Sequence, residues 1–199
     1  MTMKSFKNIL TKQIGLEEEL YVSLEKVLKR LKLKKKEFLI KEGETCSFIG
    51  FQETGVLRSY ILKDGNEFNI DFYLPDCIVS SYTSFLTQTP SVGYIQALSE
   101  SEIYIINLSD YTRLLKENSE YYKLGNYISD SLFIRKCKRE ASLLMDSAND
   151  RYTFLLTLFP QIEQLVPQYH IASYLGIKPE SLSRIKHLTY INEKVHIKK

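Results

Sequence analysis

Residues 168–187, read Q-Y-H-I-A-S-Y-L-G-I-K-P-E-S-L-S-R-I-K-H, constrain this chain more than any other stretch. Ala172 and Gly176 stand four apart, and Ile171, Leu175, Ile177, Leu182 and Ile185 form the apolar set around them. Two helices crossing steeply on a short turn bring their backbones close, so the crossing point needs a small residue, Ala172. The reversal after the first helix needs a positive φ, which Gly176 adopts without a Cβ clash. Leu175 and Ile177 flank the turn and plug into a core. Leu182 and Ile185 share one face of the second helix. Its other face presents Glu180, Ser181, Ser183, Arg184 and His187, which can reach base edges and phosphates. The spacing predicts a helix-turn-helix that reads duplex DNA. Helix pairs on a glycine turn also occur in proteins that never touch DNA. The joint fulfilment of these spacings, with a polar and basic outer face, favours reading.

Charge points the same way. Net charge over all 199 residues is only +3. From Val166 to Lys199, six basic residues (Lys178, Arg184, Lys186, Lys194, Lys198, Lys199) face two acidic ones (Glu180, Glu193), a net of +4. All three histidines, His170, His187 and His196, lie there too. A basic end on a near-neutral body suggests a polyanionic partner at that end. Met1 to Leu10 holds no long apolar core and no run approaches the ~20 residues that span a bilayer, so a cytoplasmic protein without a membrane partner is expected. Cys46, Cys77 and Cys137 fit neither a disulfide framework nor a zinc spacing, and are expected as buried free thiols.

Along the chain, 6–31 has helical periodicity through Leu16, Leu20, Leu24, Val27, Leu28 and Leu31. The basic run after it invites a nucleic-acid reading. The simpler reading has Leu31 and Leu33 facing inward while lysines solvate the other side. From Glu37 to Leu108 short β-rich runs follow: 38–40, 46–52, 56–62, 67–74, 93–97 and 103–107. In the run 67–74, Phe68, Ile70, Phe72 and Leu74 alternate with Asn69, Asp71 and Tyr73, as in a half-buried strand. Lys63-Asp64-Gly65-Asn66 is a hairpin turn signal. Regular strands with turns at Gly43, Gly55 and Gly65 suggest a small β-barrel or jelly roll. Asp110–Glu117 reads as a short helix. A long amphipathic helix then runs from Ser119 to about Met145, and its apolar stripe is best buried against a second copy. Ser147 or Asp150 caps a helix 151–159, ended by Pro160. Pro167 opens the next helix, and Pro179 suits the first turn of the last one, leaving Lys178 to contact phosphate. Residues 189–191 and 195–197 around Asn192-Glu193 are expected to form a two-stranded wing.

This order of elements resembles the Crp/Fnr family of bacterial transcription regulators, along nearly the whole chain. Gly43-Glu44 and Gly55 to Tyr60 (G-V-L-R-S-Y) look like early turns of that family's cyclic-nucleotide-binding-type barrel. Leu74-Pro75-Asp76 looks like the turn into its phosphate cassette. The run I-A-S-Y-L-G-I-K-P-E-S-L-S-R-I looks like its DNA-reading unit, with Glu180 and Arg184 on the base-reading positions. The wording is closest to variants from Bacteroidetes-type bacteria. The resemblance implies an α+β fold: an N-terminal β-barrel or jelly roll, a long dimerisation helix and a C-terminal winged helix-turn-helix. The implied domains are a sensor at 1–117, the dimerisation helix at 118–146 and the DNA-binding unit at 147–199.

Departures limit the effector. Members of the family that bind cyclic nucleotide resemble each other in a Gly-Glu pair after the entering turn and an Arg that pairs with the phosphate. Here those positions read Val79-Ser80, and no Arg occurs between Arg58 and Arg113. A phosphate removed from water without a cationic partner is poorly compensated. Cyclic AMP bound in the usual way is therefore not expected. Val79, Ser80, Ser81, Tyr82, Thr83 and Ser84 are candidates to hold another small-molecule effector, or line a loop with no ligand. No Cys precedes Cys46, which disfavours the family's iron–sulfur sensors. Cys77 suggests a haem ligand, but a lone Cys on an apolar strand is more often packing. No cofactor and no metal site is expected.

The leading expectation is a homodimeric regulator on a palindromic operator in double-stranded DNA, with RNA polymerase as a further partner. Lys178, Pro179, Glu180, Ser181, Ser183, Arg184, Lys186 and His187 would form the DNA-binding face. A cupin-type enzyme needs several histidines inside the barrel, and none precedes His170. No phosphate loop or nucleophile elbow is present, so the chain is not expected to be an enzyme. A sensing module that has lost DNA binding and acts through protein contacts is the other reading.

Overall fold

A computed structural model describes residues 4–196, with side chains between 6 and 188. Two short helices open the chain, α1 (Lys4–Asn8), followed by a π-helical turn, and α2 (Glu18–Glu25). The expected helix over 6–31 is thus broken. Gly15 takes a positive φ between its two parts, and the chain turns after Glu25 into strand β1 (Lys29–Leu33). In β1 Leu33 is buried and Leu31 half-buried while Lys29 and Lys32 are exposed, which is the solvated-face reading of the basic run.

The remaining strands are β2 (Phe38–Ile40), β3 (Phe48–Thr54), β4 (Leu57–Lys63), β5 (Asn66–Tyr73), β6 (Ile78–Val79), β7 (Tyr94–Ala97) and β8 (Ser101–Asn107). They form two antiparallel four-stranded sheets, β1-β8-β3-β6 and β2-β7-β4-β5. The arrangement is a sandwich and not a closed barrel. The outer edge of β5 meets helix side chains, described below, where a barrel would need another strand. β4 and β5 are joined as expected by a two-residue turn. Lys63 pairs with Asn66, and both Asp64 (φ 52°) and Gly65 (φ 75°) are left-handed, the geometry that suits strand twist. Between the sheets lies one apolar core that includes Ile49, Leu57, Tyr73, Val79, Ile103 and Ile106. Each such buried side chain stabilises the fold by about 1.5–3 kcal/mol.

Helix α3 (Tyr82–Thr87) interrupts the strands, and α4 (Leu108–Glu117) follows them. A 3-10 turn at 119–121 leads into α5 (Tyr122–Met145). Leu124, Ile128 and Ser142 on α5 are buried against the body. The opposite side leaves Tyr122 57%, Phe133 70% and Leu144 81% exposed, with Cys137 exposed between them. The thiols therefore differ from expectation: Cys46 is buried, Cys77 half-buried and Cys137 open, because Cys137 sits on the exposed stripe of α5.

Helix α6 (Ala148–Leu158) starts at Ser147, whose hydroxyl accepts from the Asp150 amide at 3.2 Å. A short helix α7 (Ile162–Leu165), α8 (Gln168–Leu175) and α9 (Pro179–His196) complete the chain. The wing expected from 189 onward is absent among the described residues. Helix α9 continues through 189–196, because 180–196 contains neither Gly nor Pro to end it, and the last three residues lie outside the description. None of the described helices is long and apolar enough to cross a membrane.

The run 67–74 places its faces contrary to simple alternation. Tyr73 enters the sandwich core, while Phe72 packs with Val56, Tyr174 and Leu175 in a second cluster. Phe68 is 51% exposed and Asn69 only 2%. A bulge opposite Ser59 and Tyr60 shifts the register, so that Asp71 faces Ser59 and Asn69 faces Tyr60. Both faces of β5 are covered near its end, one by the other sheet and one by the helix-turn-helix.

Candidate nucleic-acid interface

The helix-turn-helix is built as its spacing demands. Ala172 is fully buried at the crossing, with Ile171, Leu175 and Leu182 at 2% exposure or less, and Ile177 and Ile185 packed beside them. Gly176 has φ 67°. Its amide donates to Ser173 O at 3.1 Å, and the Ile177 amide to Ala172 O at 3.0 Å. This is the paired closure that ends a helix on a left-handed residue. Helix α9 starts without a side-chain cap. Instead the Lys178 carbonyl accepts from the amides of Ser181 and Leu182, and Pro179 has no amide to satisfy.

On α9, Glu180, Ser183, Arg184 and His187 are exposed, as are Lys178 and Pro179 just before them. Ser181 is half-buried. Lys186 is half-buried too and pairs with Glu163 at 2.7 Å. Glu163 also accepts from Tyr152 Oη at 2.7 Å. Although burial opposes it, these partners pull the Glu163 carboxyl below its usual range. Among the described residues no ion pair joins Glu180 to Arg184, so the guanidinium is unrestrained by its own helix. The contributions expected from His196, Lys194, Lys198 and Lys199 fall outside the described side chains.

The candidate effector segment is folded onto itself. Val79 is fully buried. Ser80 donates to Phe48 O at 3.0 Å, and Ser81 meets Ser91 Oγ at 2.9 Å. Ser84 accepts from the Cys46 amide at 2.9 Å and donates to Thr89 O. Tyr82 stacks on Phe85, and Thr83 is exposed on α3. A cleft of about 180 Å³ opens elsewhere, between the β5–β6 turn and α5. It is lined by Asp76, Cys77, Tyr127, Ser131 and Arg135 among others, and by none of 79–84. Among the described residues, no group of three or more His, Cys, Asp and Glu gathers as a metal site.

One cluster escaped sequence reasoning. Arg58 on β4 is 4% exposed and pairs with Glu67 on β5. It donates to Gln96 Oε1 and to His170 Nδ1, each at 2.8 Å, and lies over the Tyr60 ring at 4.1 Å. Because the guanidinium only donates, Nδ1 of His170 accepts, which fixes the neutral ring with its proton on Nε2. Burial first, and then the Arg58 charge, push the His170 pKa down to about 4. The available signal was a charged residue inside an apolar strand, Arg58 between Leu57 and Tyr60.

Residues 30–118 match the family of cyclic nucleotide-binding domains. Among solved structures the chain is similar to FixK2 from Bradyrhizobium japonicum, at 20% identity and TM-score 0.71 over 84% of this chain and 86% of that one. It is similar to the c-di-GMP-responsive global regulator CLP of Xanthomonas campestris, at 13% identity and TM-score 0.67 over 88% and 93%. It is also similar to a protein described as a Crp/Fnr-family transcriptional regulator from Eubacterium rectale, at 18% identity and TM-score 0.65 over 89% and 85%. Identities this low establish a shared fold. No curated protein matches the chain in sequence.

Proposed function

We propose, for a chain that carries a cyclic nucleotide-binding-type domain and the fold of Crp/Fnr regulators, the role of a homodimeric, sequence-specific DNA-binding transcription regulator. The observation that carries this reading is the exposed face of α9, with Glu180 and Arg184 pointing off a helix whose other face is buried on α8. In the major groove Arg184 donates to guanine O6 and N7, and Glu180 accepts from cytosine N4. Lys178, Ser181, Ser183, Lys186 and His187 hold phosphates, which set register without reading sequence. Lys186 exchanges its Glu163 partner for a phosphate on binding.

The exposed stripe of α5 supports the dimer. An apolar row through Phe133 and Leu144 on a helix already buried on its other side fits a second copy in two-fold contact. A two-fold axis there makes the operator palindromic, with half-sites about one helical turn apart. The division follows the chain: sensor 1–117, dimer helix 118–146 and DNA-binding unit 147–199. The sensor's effector is a small molecule other than cyclic AMP held in the usual way, since Val79 and Ser80 offer no carboxylate for a ribose. Binding to a palindromic duplex at stepped salt tests the reading. Affinity that falls steeply with salt and exceeds that for scrambled duplex is expected. Equal affinity for both duplexes contradicts it.

A further inference from the structure

β5 is the last strand of its sheet, so its outer backbone groups have no strand to bond. The helices bond them instead. The Asn69 amide donates to Ser173 Oγ at 3.0 Å, and Ser173 Oγ donates to Glu67 O at 2.9 Å. From α5, Arg139 donates to Asn69 O at 3.2 Å and to Tyr174 O at 3.1 Å, with its guanidinium over the Tyr174 ring at 4.6 Å. One arginine thus ties the dimer helix, the sensor edge and α8 together. Beside it, Arg58 reaches His170, and Asn69 Nδ2 approaches the same ring nitrogen at 3.3 Å. Phe72 against Tyr174, with ring centroids 5.4 Å apart, closes the apolar side of the joint.

This joint differs from ordinary apolar packing. A buried guanidinium and open strand-edge groups are satisfied in one register only, and a slip of α8 by a single residue leaves several unpaired. When the joint opens, water can take over the β5 edge, so opening costs far less than unfolding either part. Movement of α8 also moves α9, because Ala172, Leu175 and Leu182 pack the two helices together. The joint leaves Glu180, Ser183, Arg184 and His187 exposed. It therefore does not occlude the reading face. It fixes the direction in which that face points, and fixed direction reduces the ordering cost of binding two half-sites together.

We infer that Arg58, His170 and Ser173 form a latch that holds the helix-turn-helix on β5, so that Arg58 and Ser173 are positioning residues for DNA reading although neither faces DNA. The inference rests on the DNA-reading assignment above. The latch is also placed to receive a signal. β5 runs through Leu74, Pro75 and Asp76 straight into β6 and α3, so a ligand that shifts that turn pulls on the strand carrying Glu67 and Asn69.

The test uses the full chain and three variants: Arg58→Met, which keeps bulk and loses charge; Ser173→Ala; and Ser173→Thr, which keeps the hydroxyl. Amide exchange at Asn69 reports the latch, with Ile103 and Ile106 as core controls. Affinity for an operator selected by the wild type reports DNA reading. Arg58→Met and Ser173→Ala are expected to raise Asn69 exchange at least tenfold with the core amides unchanged. They are expected to weaken operator binding at least fivefold at unchanged salt slope, because no phosphate contact is lost. Ser173→Thr is expected to retain both properties. Should Arg58→Met fail to fold, Ser173→Ala on the helix side decides. Unaltered Asn69 exchange overturns the latch. Raised exchange with unaltered or tighter operator binding overturns its positioning role. A wild type that binds no duplex strikes the DNA-reading assignment and the positioning role with it, while the exchange arm still reports whether the joint exists.

Discussion

Arg58 and His170, 112 residues apart in sequence, meet at 2.8 Å between a strand of the β-sandwich and the first helix of the helix-turn-helix. The contact is made by a permanent cation and a ring that accepts it only when neutral. Protonation of His170 would set two positive groups against each other in a buried joint. Glu67 offsets part of that charge from β5.

The pH dependence follows from the direction of the shift. Folded His170 has a pKa of about 4, below the 6.5 of an ordinary imidazole. The unfolded chain therefore binds the proton first as pH falls. The contribution of this group to stability is complete above about pH 6.5 and is lost progressively down to about pH 4. Thermal unfolding of the wild type should fall more steeply across that window than that of His170→Gln, which accepts through its amide oxygen. Parallel curves would contradict the neutral-ring contact.

Gly176→Ala should destabilise the protein by about 1 kcal/mol through the backbone alone. An added Cβ meets Leu143 Cδ2 at 3.6 Å, an ordinary contact, so steric crowding adds little to the cost of φ 67°. Denaturant unfolding measures it. A neutral outcome would mean that the turn relaxes, and would weaken the account of how α9 is aimed.

Phe133→Glu with Leu144→Glu on α5 should convert a dimer to a monomer, read by light scattering. Cys137 lies between these positions on the same stripe. A short bismaleimide should therefore link two wild-type chains through Cys137, and should not link Cys137→Ser chains. A wild type that runs as a monomer at micromolar concentration would remove the two-fold operator from the proposal.

Arg184→Ala should weaken operator binding by about 1–3 kcal/mol and relax discrimination at one base pair per half-site. Lys178→Ala should weaken binding to all sequences alike and lower the salt slope by about 1. Titrations against matched and singly mismatched duplexes separate the two. An Arg184→Ala loss that is uniform across sequences would place Arg184 on phosphate.

Much of the fold was legible because local chemistry and final structure agree. Ala172, Gly176 and Leu182 carry the helix-turn-helix in their spacing, and Asp64-Gly65 carries the hairpin in its left-handed pair. The illegible parts depend on what covers a surface. Phe72 and Tyr73 are both buried, against different partners, so alternation could not say which faces the sheet core. β1 was hidden because the leucine pattern of the opening helices runs on into Leu31 and Leu33. The wing failed because a helix uninterrupted by Gly or Pro simply continues. The exposed residues of α9, the candidates to face DNA, could be named from their own helix. Arg58 and Ser173 could not, since their partners, His170 and Asn69, are brought to them only by tertiary structure.

The most direct measurement is selection of bound sequences from random duplex DNA by the wild type and by Arg184→Ala. The account predicts that the wild type enriches an inverted repeat with half-sites about one helical turn apart, and that Arg184→Ala loses preference for a G·C pair at one position in each half. Recovery of no motif, or of the same motif from both proteins, would contradict it.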